Sequence, residues 1–167
     1  MKKGQMQMSF GMIFSIILII FFLAFAFFGI RTFLSIQDTA KTTKFLNDLQ
    51  SDVETAWKSA QVSQEKEYFL PGKQSHVCFV DFSSAERGPQ RQLYDELKRA
   101  YYGSENLVFY PLDFDEAGSA TIRYIDLSEV TLNENPFCIE IKNGKVKLRL
   151  TKDLEDSLED SLVMVGR

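Results

Sequence analysis

The chain has no charged side chain over a long stretch near its start. No Lys, Arg, Asp or Glu lies between Lys3 and Arg31, and 15 of the 21 residues in the range 10–30 are Ile, Leu or Phe. A helix of this length extends about 32 Å, enough to cross a hydrocarbon core of roughly 30 Å. We therefore predict a short basic leader at residues 1–9 and a transmembrane helix over residues 10–30, with the lipid bilayer as its partner.

Two other classes of segment contain apolar runs. A cleaved secretory signal would use the small residues Ala24 and Ala26 at its cleavage site, but the apolar run continues to Ile30 and is longer than an ordinary signal core. The core helix of a soluble domain rarely stays apolar over so many consecutive residues. The pattern favours a membrane span, with signal cleavage as the alternative.

The rest of the chain is acidic. The net charge is −4, and Lys2, Lys3 and Arg31 are the only charged residues in the range 1–37, so residues 38–167 carry −7. Phosphate binding needs a basic face, and this balance therefore argues against nucleic acid as a partner. The crowding of Lys2 and Lys3 ahead of the apolar run predicts a cytoplasmic N-terminus, an extracellular head and a single pass through the cell membrane.

The chain contains only two cysteines, Cys78 and Cys138. Both lie in short apolar segments typical of strands. In an extracytoplasmic domain, two cysteines are expected to form one disulfide, and closing a loop of about 60 residues would stabilise the fold by about 4 kcal/mol. Two buried free thiols in a cytosolic domain are the alternative.

Residues that carry chemistry are also few. His76 is the single histidine, and no phosphate-binding glycine pattern occurs. Asp113 and Asp115 are spaced like the start of a calcium loop, but Ala117 and Tyr124 stand where that loop requires ligands, so we favour a turn. We predict a protein that is not an enzyme, with no catalytic residue, no metal and no cofactor. A membrane-tethered hydrolase would need a polar cleft that the sequence does not indicate.

Proline and glycine are absent from residues 31–70. Apolar residues recur there at helical spacing, which predicts an extracytoplasmic amphipathic helix over residues 31–70. The predicted packing stripe comprises Leu46, Leu49, Val53, Ala56, Trp57 and Ala60. A two-helix coiled coil is the rival, although fewer than three full heptads are present.

Residues 71–167 are predicted to form a small α+β head. The expected strands are His76–Phe82, which is apolar on both faces, Leu107–Tyr110, Ala120–Asp126, Phe137–Lys142, Lys145–Thr151 and Leu162–Val165, with one helix between Pro89 and Gly103. Asn143-Gly144 is a strong hairpin-turn signal. The predicted fold is a long N-terminal transmembrane helix, extended into an amphipathic spine that packs on a small antiparallel sheet with one additional helix.

The start of the chain resembles a known family. Lys2-Lys3-Gly4-Gln5, followed by a long apolar helix, is similar to the class III signal of archaeal type IV pilin-like proteins. The resemblance implies that a prepilin peptidase cuts between Gly4 and Gln5 on the cytoplasmic side. It also implies that the apolar helix packs with copies of itself or with related subunits in a filament core, with a β-rich head facing outward. Ser9 occupies the place, five residues into the mature chain, where many pilins have Glu.

The leading interpretation is a pilin-like structural subunit of a surface filament or envelope assembly. The alternative is an uncleaved single-pass membrane protein whose extracytoplasmic head binds another envelope component.

Overall fold

The computed structural model of the protein describes residues 10–101, 103–112, 118–153 and 161–167. Contacts divide the chain into two compact units, Met1–Gln37 and Asp38–Arg167. In chain order the elements are α1 (Phe10–Lys58), β1 (Val62–Phe69), β2 (His76–Phe79), α2 (Arg91–Ala100), β3 (Leu107–Tyr110), β4 (Ser119–Ala120), α3 (Leu127–Val130), β5 (Phe137–Glu140), β6 (Lys145–Lys152) and β7 (Met164–Gly166).

The first unit contains the apolar part of α1. Every side chain from Phe10 to Gln37 is exposed. By length and composition, α1 is a helix able to cross a membrane, a property that an N-terminal signal sequence shares. None of its most apolar window is buried, unlike the core helix of a soluble protein. The predicted long N-terminal apolar helix is thus confirmed.

The second unit begins with the last turns of α1. Its buried side chains lie on one face of the helix: Thr42, Phe45, Leu49, Val53 and Ala56. The helix ends at Lys58, where the Lys152 ammonium donates a hydrogen bond to the Trp57 carbonyl at 2.6 Å. A cation at this position satisfies a terminal carbonyl and complements the helix dipole.

The prediction of helix up to residue 70 is wrong after Lys58. Residues Val62–Phe69 form β1, which pairs antiparallel with β6 along its whole length. On the inward side of β1, the Tyr68 hydroxyl and the Lys66 ammonium both bind the carboxylate of Asp52 on α1, at 2.8 and 3.1 Å. Tertiary pairing therefore overrides the helix-forming composition of this segment.

Two antiparallel sheets form the β structure of the second unit. A three-stranded sheet has the order β1-β6-β7, and a four-stranded sheet has the order β4-β3-β2-β5. The main core includes the α1 face and side chains from both sheets, such as Phe109 and Leu148. A smaller core, which includes Val80, Tyr94 and Leu97, brings α2 against the four-stranded sheet. The predicted α+β layout is confirmed, and β2 is the central strand that its two apolar faces indicated.

Two other strand predictions need correction. Of the segment predicted as a strand over Ala120–Asp126, only Ala120 belongs to a strand of the sheet, as the last residue of β4, and Tyr124 has a positive φ of 68°. The Asn143-Gly144 turn is present, with φ values of 53° and 70°. However, the strands on either side of it belong to different sheets, and only the Lys142–Lys145 bridge closes the turn.

Candidate functional site

The first candidate site is the apolar surface of α1 within residues 10–37. Its polar groups are few, and the Ser15 hydroxyl donates to the Gly11 carbonyl at 2.8 Å, which removes its need for an outside partner. The Arg31 guanidinium lies 4.5 Å from the centroid of the Phe27 ring. This surface offers a partner almost entirely apolar contacts, which suit lipid tails or other apolar helices.

The predicted packing stripe of α1 is mostly correct. Five of its residues belong to the main core or pack against it: Leu46, Leu49, Val53, Ala56 and Trp57. Ala60 is exposed and lies beyond the end of the helix, so its assignment to the stripe is wrong. The buried face continues toward the N-terminus to Phe45 and Thr42, one and four residues before Leu46, and the predicted stripe did not include these two residues.

The predicted disulfide between Cys78 and Cys138 is present. The two residues lie opposite each other in the β2–β5 pair, and both are buried. The bond closes a loop with a sequence separation of 60 residues. The disulfide links β5, an edge strand of the four-stranded sheet, to the central strand β2.

The second candidate site is a groove of about 670 Å³ in the unit of residues 38–167. We call it the β5 groove, because residues 138–140 of β5 line it. Residues 89–90, just ahead of α2, form part of its wall, and Glu67, Lys145 and Lys147 of the three-stranded sheet form another. Residues 67 and 89–90, which are distant in sequence from β5, therefore lie beside residues 138–147 in the folded chain.

Charged side chains of both signs face the β5 groove. Lys145 Nζ lies 2.8 Å from a carboxylate oxygen of Glu67, and this hydrogen bond lowers the pKa of Glu67. Arg167 pairs with Glu134 at 2.6 Å and also donates to the Cys138 carbonyl at 3.2 Å. All four ion-pair partners are partly exposed, so these pairs contribute little stability.

His76 also lines the β5 groove. The Ser75 hydroxyl lies 2.9 Å from His76 Nδ1, and it donates to the Tyr110 carbonyl at 3.0 Å. The hydroxyl is within hydrogen-bonding distance of both groups, and the tautomer of His76 determines whether the ring nitrogen donates to Ser75 or accepts from it.

The remaining predictions concern metal ions and the processing residues. Within the described residues, no group of three or more His, Cys, Asp or Glu side chains is placed to hold a metal ion. The calcium-loop candidates Asp113 and Asp115 lie outside the described residues, as do the predicted processing residues Gly4 and Gln5.

Comparisons with protein-family models, curated proteins and solved structures find no match to this chain. The pilin-like resemblance therefore depends on the sequence pattern at residues 2–5 and on the apolar helix that follows.

The sequence interpretation did not anticipate the β5 groove. Gln90, Glu134 and Arg167 come from three separate segments, and no local spacing pattern links them. The carboxamide oxygen of Gln90 is buried and has no hydrogen-bond partner among the described residues. A buried unpaired acceptor of this kind can be recognised only from the fold.

Proposed function

We propose that this chain is a membrane-anchored, pilin-like structural subunit of a surface filament or envelope assembly, without enzymatic activity. The observation that carries the proposal is the exposed apolar surface of α1 over residues 10–30. A surface of this size is not stable in water, because each apolar side chain left exposed loses the free energy of burial.

The composition of this surface favours self-association after membrane insertion. It contains no charged side chain, so no ion pair has to form or break when the helix moves from lipid into a bundle of similar helices. The small residues Gly11, Ala24, Ala26 and Gly29 permit close approach of neighbouring helices. Copies of the chain or related subunits are the proposed partners, and a prepilin peptidase is the proposed processing enzyme.

Two properties of residues 38–167 support an extracellular head. The Cys78–Cys138 disulfide is typical of oxidising compartments. The net charge of −7 suits a solvated surface and disfavours contact with anionic lipid head groups.

The native N-terminus tests the processing step. We expect mass spectrometry of the membrane-extracted protein to find a chain that starts at Gln5, without the residues Met1–Gly4. The Gly4→Leu variant should keep its leader, because the resemblance implies a glycine before the cut. The matched Gly11→Leu variant should be processed normally. An intact Met1 or Lys2 in the wild-type protein would refute processing.

The alternative function is an uncleaved single-pass protein whose head binds another envelope component. Ser9, in place of the usual pilin Glu, and the β5 groove both favour it. Negative-stain images with an antibody against the head separate the two proposals. Label along filaments supports the pilin-like subunit, whereas label spread over the cell surface, with an intact N-terminus, supports the alternative.

A further inference from the structure

Arg31 is the only charged side chain on the exposed surface of α1 within residues 10–37. No Asp or Glu occurs in the range 1–37, so this part of the chain contains no acid that could pair with it. Within the ranges that the structure describes, the guanidinium makes no hydrogen bond or ion pair, and the Phe27 ring is the group that it contacts. All of its N–H donors therefore remain available to a partner.

Large apolar side chains flank Arg31 on both sides along α1. Each of them is exposed, by 52–71% of its area: Phe27, Phe28, Ile30, Phe33, Leu34 and Ile36. A partner that covers this surface must be apolar over most of its area and must also supply an acceptor for the guanidinium, because an unpaired charge in hydrocarbon is costly. A phospholipid has both features, since its phosphate group adjoins its acyl chains.

The Phe27 ring presents the guanidinium for bidentate binding. The guanidinium carbon lies 4.5 Å from the centroid of this ring, one helical turn toward the N-terminus, which is the direction in which helical side chains lean. A guanidinium over an aromatic face keeps the N–H groups at its edge accessible. That fork of donors matches two oxygens of a phosphate.

The position of Arg31 along α1 suits the phosphate level of a bilayer. The uncharged residues 10–30 extend about 32 Å, close to a hydrocarbon thickness of roughly 30 Å, and Arg31 follows directly after them. Ile36 lies about 7.5 Å further along the helix, comparable with one head-group layer of roughly 5–8 Å. If the hydrocarbon enclosed residues 16–36 instead, Arg31 would lie about 7 Å inside it, which the first position avoids.

We propose that Arg31 binds the phosphate group of a phospholipid, in the leaflet at the C-terminal end of the membrane span, and that this bond sets the depth of α1 in the bilayer. The guanidinium donates two N–H groups to phosphate oxygens, and the Phe27 ring lies on the acyl-chain side of the pair. This inference rests on the membrane anchoring in the proposed function, and it adds the lipid group that α1 recognises.

Solid-state NMR tests this contact on the full chain reconstituted in phosphatidylcholine vesicles. The measurement is the dipolar dephasing of arginine ¹³Cζ by lipid ³¹P. A bidentate pair places Cζ about 4 Å from phosphorus, which gives rapid dephasing. The chain has seven arginines, so we expect about one seventh of the ¹³Cζ signal to dephase rapidly.

Two arginine variants identify the residue responsible. Arg31→Gln should remove the rapidly dephased fraction, whereas the matched Arg123→Gln, at an arginine with 70% of its side chain exposed, should leave it unchanged. Vesicles of digalactosyl diacylglycerol, which contain no phosphate, identify the source of the ligand. With inorganic phosphate added to the buffer of these vesicles, the rapid fraction should be absent, because only a lipid phosphate is held beside α1 by its acyl chains.

Thiol labelling tests the depth of α1. The two native cysteines are bonded to each other, so Ser35→Cys introduces a single reactive thiol. In this background we expect Arg31→Leu to slow the reaction with a water-soluble maleimide at least about tenfold, because loss of the charge lets residues 31–36 enter the hydrocarbon. Arg31→Lys keeps a cation for the phosphate and should react nearly as fast as the parent. Ser51→Cys, at an exposed position of α1, is the control and should react equally whether or not Arg31 is replaced.

Several outcomes overturn the proposal. They are no rapid dephasing in the wild type, rapid dephasing that persists in Arg31→Gln, dephasing by free phosphate in galactolipid vesicles, or equal labelling of Ser35→Cys with and without Arg31→Leu. In a mixture of chains labelled with ¹⁵N at arginine and chains labelled with ¹³C at carboxylates, a contact that Arg31→Gln abolishes would assign Arg31 to an acid of a second copy instead. Failure of the chain to float with vesicles would overturn membrane anchoring and this inference with it, whereas a floated chain without dephasing overturns this inference alone.

Discussion

Truncation of the Leu49 side chain tests whether the last turns of α1 form part of the main core of residues 38–167. Its side chain is fully buried in the main core. Replacing a fully buried leucine by alanine removes apolar contacts and leaves a cavity, at a cost of about 3.5 kcal/mol. For a unit of residues 38–167, an unfolding entropy of about 2.1 cal/mol/K per residue converts this cost into a fall in Tm of about 13 °C.

Trp57 provides the assay. It is the single tryptophan, and its indole stacks on the Tyr124 ring with centroids 4.1 Å apart. Its fluorescence therefore reports loss of head packing in the full chain in detergent. The Leu46→Ala variant, at a partly buried position, should show a smaller fall in Tm than Leu49→Ala. The Asn47→Ala variant, at an exposed position, should melt within about 2 °C of wild type. Equal Tm values for Leu49→Ala and Asn47→Ala would refute the packing of α1 in the core.

Three further predictions use the same fluorescence assay. Reduction of the Cys78–Cys138 disulfide should lower the free energy of unfolding by about 4 kcal/mol, and a loss below about 1 kcal/mol would contradict the loop-closure argument. Burial is the main cause that raises the pKa of Tyr68, and the hydrogen bond to Asp52 is the second. The neutral Tyr68 side chain therefore contributes its full stabilisation below pH 10, and this stabilisation falls as the pH rises above 10. Above pH 10, the free energy of unfolding should therefore fall more steeply with pH in the wild type than in the Tyr68→Phe variant, by up to about 1.4 kcal/mol per pH unit. Parallel pH profiles of the two proteins would exclude this role of Tyr68. Gly88→Ala should cost about 1–3 kcal/mol, because φ is +83° and the new Cβ would lie 3.0–3.2 Å from a glutamate, whereas Gly72→Ala, with open space around it, is the control.

The elements predicted correctly from sequence are those whose local signals agree with their tertiary environment. Leu107–Tyr110 is a short apolar run that ends before Pro111, and it forms β3 with the same bounds. Asn143 and Gly144 adopt the positive φ values that a tight turn requires. The buried face of α1 follows the helical period over residues 42–56.

Predictions failed where a partner distant in sequence determines the conformation. In β1 the residues Gln64, Glu65, Lys66 and Glu67 are good helix formers, and only pairing with β6 makes them a strand. The hairpin prediction identified the turn but assumed that the strands on either side of it pair with each other. They belong to two different sheets, a division that turn chemistry does not encode. The β5 groove has no local sequence signal, because its walls come from segments far apart in the chain.

The disulfide also affects how the head responds to proteolysis. Cys78 and Cys138 enclose α2, β3, β4 and α3 within one covalent loop. A single cut anywhere between residues 79 and 137 leaves the two fragments joined, and the antiparallel pairing of β5 with β2 retains its covalent tie. Such a nicked head migrates as one species until it is reduced. The proposed function would expose the protein to proteases outside the cell. A cut inside this loop would not separate the fragment that carries β5, β6 and β7 from the fragment that carries α1.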